Sequence, residues 1–322
     1  MQKIAFRGRE FQCEEKETVL DVLVRNDIPI PHSCRSGVCH SCLVKAVKGR
    51  PSIASQAGLK ETLAHQKYFL ACQCIPENFI EVAIADESVN HFVDATVISK
   101  KKLSEAITRV RIKTDEVIDY KAGQFLNIKG IKEQIRSYSI ASIPSDDFIE
   151  FHIQRMQEGV VSTWLSDQIE VGEHLKVSEP VGECFYLGDN KDQSLLLIGT
   201  GSGLAPLYGI VSDALQQGHS GEIYLYHGGR TLETIYYRDK LQALAQQHPN
   251  FTYTACISDG SIIENTKPGR ASQIALTEHP ALKNWKVFVC GNPSMVNDTK
   301  KAAFLAGASL KDIFSDAFVP AS

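Results

Sequence analysis

The 322-residue sequence predicts a multidomain chain that is part α+β and part α/β. Three observations carry this. A short β-rich stretch with one main helix comes first, and three cysteines crowd into nine of its residues, 34–42. A run of short strands separated by Gly and Pro follows, which fits a small antiparallel barrel. Strand–helix alternation with short loops then fills the rest, the pattern of a parallel sheet. The expected boundaries are 1–87, 92–188 and 189–322, with the polar stretch 86–91 as linker.

In the first part, residues 3–14 alternate as two short strands around Gly8. Thr18 has the chemistry of a helix N-cap, followed by the apolar stripe Val19, Leu20, Val22 and Leu23, and Pro29 and Pro31 are expected to end that helix. Residues 43–47 and 79–84 are expected strands. In the second part, strands are expected at 94–99, 107–113, 125–128, 135–140, 148–154 and 174–178, interrupted by a helix over 162–168. In the third, Leu195–Ile198 is an all-apolar strand suited to burial on both faces. Helix 206–217, strand 223–227, helix 231–247, strand 251–258, strand 287–290 and helix 293–307 follow.

Composition excludes several classes. The apolar fraction of 43% and charged fraction of 22% are ordinary for a globular protein, and a net charge of −4 gives no reason to expect nucleic-acid binding. No apolar run approaches the ~18 residues of a membrane span. The opening residues MQKIAFRGRE lack an apolar stretch, so no secretory signal is expected and the chain is assigned to the cytoplasm. Nine cysteines without such a signal favour metal ligation over a disulfide framework.

The cysteines carry the most information. Cys34, Cys39 and Cys42 have the spacing C-x4-C-x2-C, and Cys72 and Cys74 lie about thirty residues on. That is the plant-type pattern for a [2Fe–2S] cluster on four thiolates. A zinc knuckle pairs two C-x2-C elements, which Cys72-x-Cys74 does not supply. Gly37 permits close backbone approach, and N–H groups of residues 35–40 are placed to donate to the sulfurs. Spacing alone leaves the fourth ligand open between Cys72 and Cys74.

Arg136-Ser137-Tyr138-Ser139 falls on an expected barrel strand, and Gly159-Val160-Val161-Ser162 opens the helix after it. A flavin dinucleotide needs a cation for its pyrophosphate, an aromatic face for its ring and a hydrogen-bond partner at N5. Arg suits the first through its planar fork, and a helix N-terminus adds N–H donors. Ser162 can also serve as an ordinary N-cap. Further on, Gly199-Thr200-Gly201-Ser202-Gly203-Leu204-Ala205-Pro206 makes a strand–glycine turn–helix suited to a second pyrophosphate, with Pro206 in the first helical turn. Tyr226-His227-Gly228-Gly229-Arg230 and Cys290-Gly291-Asn292-Pro293-Ser294-Met295 stand at strand ends, where nucleotides bind in open α/β sheets.

HSCRSGVCHSC followed by YFLACQC resembles the plant-type ferredoxin domains fused to flavin reductases, and the two later motifs resemble the ferredoxin–NADP reductase superfamily. The resemblance covers the whole chain. It implies a β-grasp ferredoxin domain, a six-stranded antiparallel FAD-binding barrel and a parallel-sheet NAD(P)H-binding domain. It implies Cys72 as the fourth cluster ligand, and His40 stands where the family usually has a small residue. It implies Arg136 and the turn Gly159-Val160-Val161-Ser162 at the FAD pyrophosphate, Ser137 among the flavin-binding residues, Tyr138 on the ring, Ser139 at N5 and backbone near Ile153 beside the flavin. Thr200, Gly201, Gly203, Pro206, Gly229, Arg230, Gly291 and Met295 fall to the nucleotide, Cys290 to the nicotinamide, and Phe318, with Phe314 second, to shielding the flavin. Ser139 and Cys290 are then the catalytic candidates.

Members of this kind include reductase components of aromatic-ring dioxygenases and reductases serving deoxysugar dehydration. Both pass electrons from NADH through FAD and the cluster to a partner protein. An oxygenase is the expected acceptor here, the chain acting as a monomer. A dehydratase, or a redox sensor without catalysis, is the alternative. Asp259-Gly260-Ser261 after strand 251–258 offers an acid and no neighbouring base, which disfavours a 2′-phosphate and predicts NADH over NADPH, with Arg230 and Arg270 the residues able to reverse this. Residues 1–90 hold 11 Lys and Arg against 11 Asp and Glu, and such neutrality suits a ferredoxin tethered to its reductase rather than steered to it.

Overall fold

The computed structural model describes residues 2–84, 92–259 and 264–318, so the expected linker and Gly260-Ser261 lie outside the described residues. The chain divides into two compact units, Met1–Asn90 and His91–Ser322.

In the first unit, β1 (Lys3–Phe6) and β2 (Arg9–Gln12) pair through a turn in which Arg7 and Gly8 both have positive φ, 49° and 74°. That is the turn whose twist suits a hairpin. Helix α1 (Val19–Arg25) carries the expected cap, since Thr18 and Asp21 form a capping box. It ends earlier than the prolines suggest. Asn26 closes it and Asp27 turns left-handed at φ 58°, so Pro29 and Pro31 lie beyond a helix already stopped. Then come β3 (Leu43–Lys48), α2 (Glu61–His65), β4 (Tyr68–Leu70) and β5 (Ile80–Ile84). The sheet order is β2-β1-β5-β3-β4, with β1 and β5 parallel and the other pairs antiparallel, a β-grasp. Leu20 and Leu23 of α1 are buried in one core with Ile4, Val44, Phe69 and Val82.

The second unit opens with β6 (Phe92–Lys102), β7 (Ile107–Thr114), β8 (Phe125–Lys129), β9 (Ile135–Ser139), β10 (Ile149–Gln154) and β11 (His174–Ser178). All neighbours in the order β10-β7-β6-β11-β8-β9 are antiparallel. A bridge between Ile140 and Phe151 joins the two edges and closes the barrel. Between β10 and β11, helix α3 (Val160–Thr163) runs into a π turn at Trp164–Gln168. The cap differs from expectation, because Gly159 is the N-cap and Ser162 lies inside the helix.

The parallel sheet follows with β12 (Leu195–Thr200), α4 (Leu204–Gln216), β13 (Ile223–Gly229), α5 (Arg238–Gln247), β14 (Phe251–Ile257), β15 (Thr266–Pro268), α6 (Ala271–Glu278), β16 (Lys286–Gly291), α7 (Pro293–Leu305) and β17 (Ile313–Ala317). Its order is β15-β14-β13-β12-β16-β17. Residues of β12 alternate between two cores: Leu195 and Leu197 pack with α4, and Leu196 and Ile198 with α6 and α7. The strand order reverses between β12 and β16, the place where α/β sheets hold ligands. The single helix expected over 231–247 is broken. A 3-10 turn covers Leu232–Thr234, Ile235 is extended, Tyr237 is left-handed at φ 59°, and α5 starts only at Arg238. The break turns Tyr236 inward, where it is 2% exposed.

Candidate functional site

The cysteine loop lies in the first unit. Arg35, Gly37 and His40 all have positive φ, at 53°, 80° and 57°; Gly37 takes this freely, whereas Arg35 and His40 ordinarily avoid it, so the chain coils tightly here. The N–H groups of Ser36 and Cys39 donate to Cys34 Sγ at 3.4 Å each, and Cys34 N–H donates to Cys39 Sγ at 3.5 Å. Hydrogen bonding from Ser36, then the N–H of Cys39, holds the Cys34 thiol down at about 5. Ser41 lowers Cys39 in the same way. Cys42 is buried, and burial pushes its thiol up to about 11, with Cys72 as its interacting neighbour. Gln73 ties the loop to that cysteine, donating from Nε2 to Arg35 O at 3.1 Å and to Cys72 Sγ at 3.5 Å. Cys74 interacts instead with Cys13 in the core, and its carbonyl accepts the N–H of Val19 at 2.8 Å. His40 is exposed.

The thiols therefore fall in two pairs, Cys34 with Cys39 and Cys42 with Cys72. Among the described residues no three His, Cys, Asp or Glu side chains gather around one metal position. Two pairs suit two irons that each take two thiolates, whereas one tetrahedral zinc needs all four around a point.

At the barrel edge, Arg136 and Ser137 are exposed and Tyr138 is half-buried on β9. Arg136 Nη1 donates to Ile135 O at 2.7 Å, and Ser137 Oγ donates to Asn127 Oδ1 at 2.7 Å. Burial pushes the Tyr138 hydroxyl up. Ser162 Oγ accepts from Met156 N–H at 3.2 Å and donates to Gly159 O at 3.1 Å, locking the turn that contains Val160 and Val161. A Cβ at Gly159 would sit 2.3 Å from that same hydroxyl. Ile153 is fully buried in the barrel core, leaving its backbone as the part able to face a ligand. Cationic, aromatic and tight-turn elements of a flavin dinucleotide site thus stand on β9 and α3.

At the parallel sheet, Thr200 ends β12 and Gly201–Gly203 turn into α4, with Pro206 buried as its third residue. The turn packs directly on the end of β16. A Cβ on Gly203 would lie 2.3 Å from Cys290 O, and one on Gly291, at φ 126°, would lie 2.7 Å from Thr200 Oγ1. A Cβ on Gly229 would lie 2.4 Å from Thr234 Oγ1, and Arg230 is exposed. Asn292 Oδ1 caps α7 by accepting from the N–H groups of Ser294 and Met295. Cys290 is fully buried, 3.6 Å from Cys184 Sγ, and burial holds its thiol well above the ordinary range. Phe314 is core, stacked on Phe288 with ring centroids 5.1 Å apart, so it is not available as a flavin shield. Phe318 is half-exposed, its N–H donating to Gly291 O at 2.8 Å.

Known proteins match this arrangement along its whole length. Residues 3–77 match the 2Fe-2S iron-sulfur cluster binding domain, 94–186 the oxidoreductase FAD-binding domain and 197–301 the oxidoreductase NAD-binding domain. The ferredoxin–NAD(P)+ reductase component of the naphthalene 1,2-dioxygenase system of Pseudomonas putida is 31% identical over 94% of this chain and 93% of its own. The chain belongs to this family of iron–sulfur flavoprotein reductases. The CDP-6-deoxy-L-threo-D-glycero-4-hexulose-3-dehydrase reductase of Yersinia pestis is 27% identical over 97% of this chain and 96% of its own. The crystal structure of an Amycolatopsis cytochrome P450 reductase superposes with a TM-score of 0.70 at 27% identity and covers 100% of both chains.

The reductase thus carries a [2Fe–2S] cluster-binding domain, an FAD-binding domain and an NAD-binding domain, and it is an oxidoreductase. No helix among the described residues is long and apolar enough to cross a membrane. Two features escaped the motifs. Asp316 of β17 pairs with Cys290 of β16, and its Oδ2 accepts from Ser139 Oγ at 3.1 Å. Gln154 at the end of β10 accepts from Ser202 Oγ at 3.0 Å. Both contacts span long stretches of chain, and no spacing rule reaches them.

The turn makes one mutational outcome plain. The three atoms nearest a Cβ at Gly203 are backbone of Cys290 and Gly291, so none of them can swing aside. Gly203→Ala should cost about 1–3 kcal/mol through overpacking. Urea unfolding checks this, and an unchanged midpoint contradicts the close approach.

Proposed function

We propose that the reductase takes a hydride from NADH onto FAD and delivers single electrons through its [2Fe–2S] cluster to a partner oxygenase in the cytoplasm, acting as a monomer. The observation that carries this is the Ser139–Asp316 hydrogen bond. It joins the barrel strand bearing the flavin motif to the strand paired with Cys290, which supports a flavin and a nicotinamide held side by side. The domain boundaries 1–87, 92–188 and 189–322 go with this reading.

When bound, FAD exchanges two electrons with the nicotinamide and one at a time with the cluster. The chain's own residues do the rest. Arg136, Ser137 and the turn Gly159–Ser162 bind the FAD pyrophosphate, Tyr138 covers the ring and Phe318 shields it. Thr200, Gly201, Gly203 and Pro206 hold the nucleotide pyrophosphate at the start of α4. Gly229, Arg230, Gly291 and Met295 line the remaining strand ends. Cys290, protonated by burial, shapes the nicotinamide position without acting as a nucleophile. Cys34, Cys39, Cys42 and Cys72 ligate the irons, the N–H donors around Cys34 favouring the thiolate that ligation requires.

The test is an anaerobic visible spectrum before and after NADH. Flavin bands and a thiolate–iron envelope should both bleach, and a flavin-only spectrum from fresh protein contradicts the cluster. For the nucleotide, Asp259 N–H donates to Arg230 O at 2.8 Å, which brings an exposed acid beside the exposed Arg230. The carboxylate disfavours a 2′-phosphate, so kcat/KM should favour NADH by about tenfold or more, a difference of ~1.4 kcal/mol. Preference for NADPH overturns that assignment. The likeness to a deoxysugar dehydrase reductase supports a second acceptor class, which a pull-down of the partner distinguishes.

A further inference from the structure

Strand β10 divides its side chains by parity. Ile149, Phe151 and Ile153 are buried in the barrel core. Glu150, His152 and Gln154 point the other way, and each is hydrogen-bonded to a residue beyond the barrel. Tyr237 OH donates to Glu150 Oε1 at 3.1 Å, Tyr236 OH meets His152 Nδ1 at 3.0 Å, and Ser202 Oγ donates to Gln154 Oε1 at 3.0 Å.

The middle of this row is dry. Glu150 is 2% exposed and His152 4%. Burial opposes ionisation of Glu150, but hydrogen bonds from His152 and Arg111 outweigh it and hold the carboxyl down at about 2. Arg111 Nε donates to Oε2 at 2.6 Å. Burial lowers His152 and keeps it neutral. Its single proton then lies on Nε2, because the carboxylate 3.0 Å away can only accept. Nδ1 is left as an acceptor, so Tyr236 must be the donor. The row therefore has one direction, Tyr236 to His152 to Glu150, and one geometry. It accounts for the break in the expected helix 231–247, since only a chain turned at Tyr237 presents two consecutive tyrosines to β10.

We propose that Glu150, His152 and Gln154 form a polar seam that fixes the parallel sheet on the barrel, and that His152 and Gln154 are positioning residues for hydride transfer. Gln154 acts on the glycine turn itself, since Ser202 lies between Gly201 and Gly203 and a Cβ on Gly201 would meet Gln154 Oε1 at 3.4 Å. A loosened seam lets the turn, and with it the nicotinamide, shift relative to Ser139. This inference rests on the hydride-transfer reading above.

The chain provides its own reporters. Its two tryptophans are Trp164, in the π turn packed against the barrel core, and Trp285, packed with the sheet core. Urea unfolding of the full chain, followed in Trp164→Phe and Trp285→Phe backgrounds, reads the two parts separately. In the native seam the midpoints should coincide; with Tyr236→Phe plus Gln154→Met they should separate. In anaerobic stopped flow, the same pair should slow limiting flavin reduction by NADH about tenfold with KM for NADH within about twofold, and Gln154→Glu, which still accepts from Ser202, should recover most of Gln154→Met's loss. Both changes together, with flavin content unaltered, support the seam. Either change alone, neither, or loss of FAD overturns it. If wild-type protein is not bleached by NADH, the functional reading has failed, and the midpoints alone decide whether the seam couples the two parts.

Discussion

Cys72→Ser should remove the thiolate–iron envelope and cut NADH-dependent cytochrome c reduction by about a hundredfold, while ferricyanide reduction, which draws on the flavin directly, stays within about twofold; a hundredfold corresponds to ~2.7 kcal/mol of barrier. Cys42 interacts with Cys72, and Gln73 holds Cys72 against the Arg35 carbonyl. Cys74 is 1% exposed and interacts with Cys13 in the core. Cys74→Ser places a hydroxyl in an apolar pocket, a cost of about 1–3 kcal/mol in stability with the envelope retained. The two variants thus separate ligation from packing. If Cys74→Ser loses the envelope and Cys72→Ser keeps it, the ligand assignment is wrong. The flavin half should be indifferent to either change, because residues 1–90 form their own compact unit around their own core.

What could be read beforehand follows from the range of the interactions involved. Barrel strands are legible where apolar residues alternate with period two, as in Ile149–Gln154 and His174–Ser178. The capping box at Thr18 was legible because both partners lie within one helical turn. The end of α1 was not, because a left-handed Asp27 stops the helix before any proline can. Strand β15 and helix α6 gave little signal: three residues are too few for a period, and α6 buries only Ala271 and Ala275. The helix expected over 231–247 satisfied the local pattern and failed through tertiary contact, since Tyr236 and Tyr237 are claimed by β10. Nothing in the sequence singles out Asp316. Its partner lies 177 residues away, and only the pairing of β17 with β16 brings it there.

That same acid bears the largest expected effect on the flavin side. Ser139→Ala should lower the limiting rate of flavin reduction by about a hundredfold, the lower end of what a positioned proton-bearing group contributes. Asp316→Asn should lower it by less, since Asn keeps an oxygen that accepts from the Ser139 hydroxyl but loses the charge that strengthens that bond. Stability supplies an independent check with a definite sign. Burial raises the Asp316 carboxyl above its ordinary 3.8, and the Ser139 hydrogen bond offsets this only in part. A carboxyl raised on folding favours the folded state below its unfolded pKa and loses that contribution as pH climbs through the folded value. Wild-type protein therefore carries an ionisation cost at pH 8 that fades as pH falls toward 3.8, and Asp316→Asn removes it. The variant's Tm should exceed the wild type's at pH 8, and the gap should narrow as pH falls toward 4. A gap that does not change with pH means that the carboxyl is not held by burial. A faster rate in Asp316→Asn would detach it from the hydride step altogether.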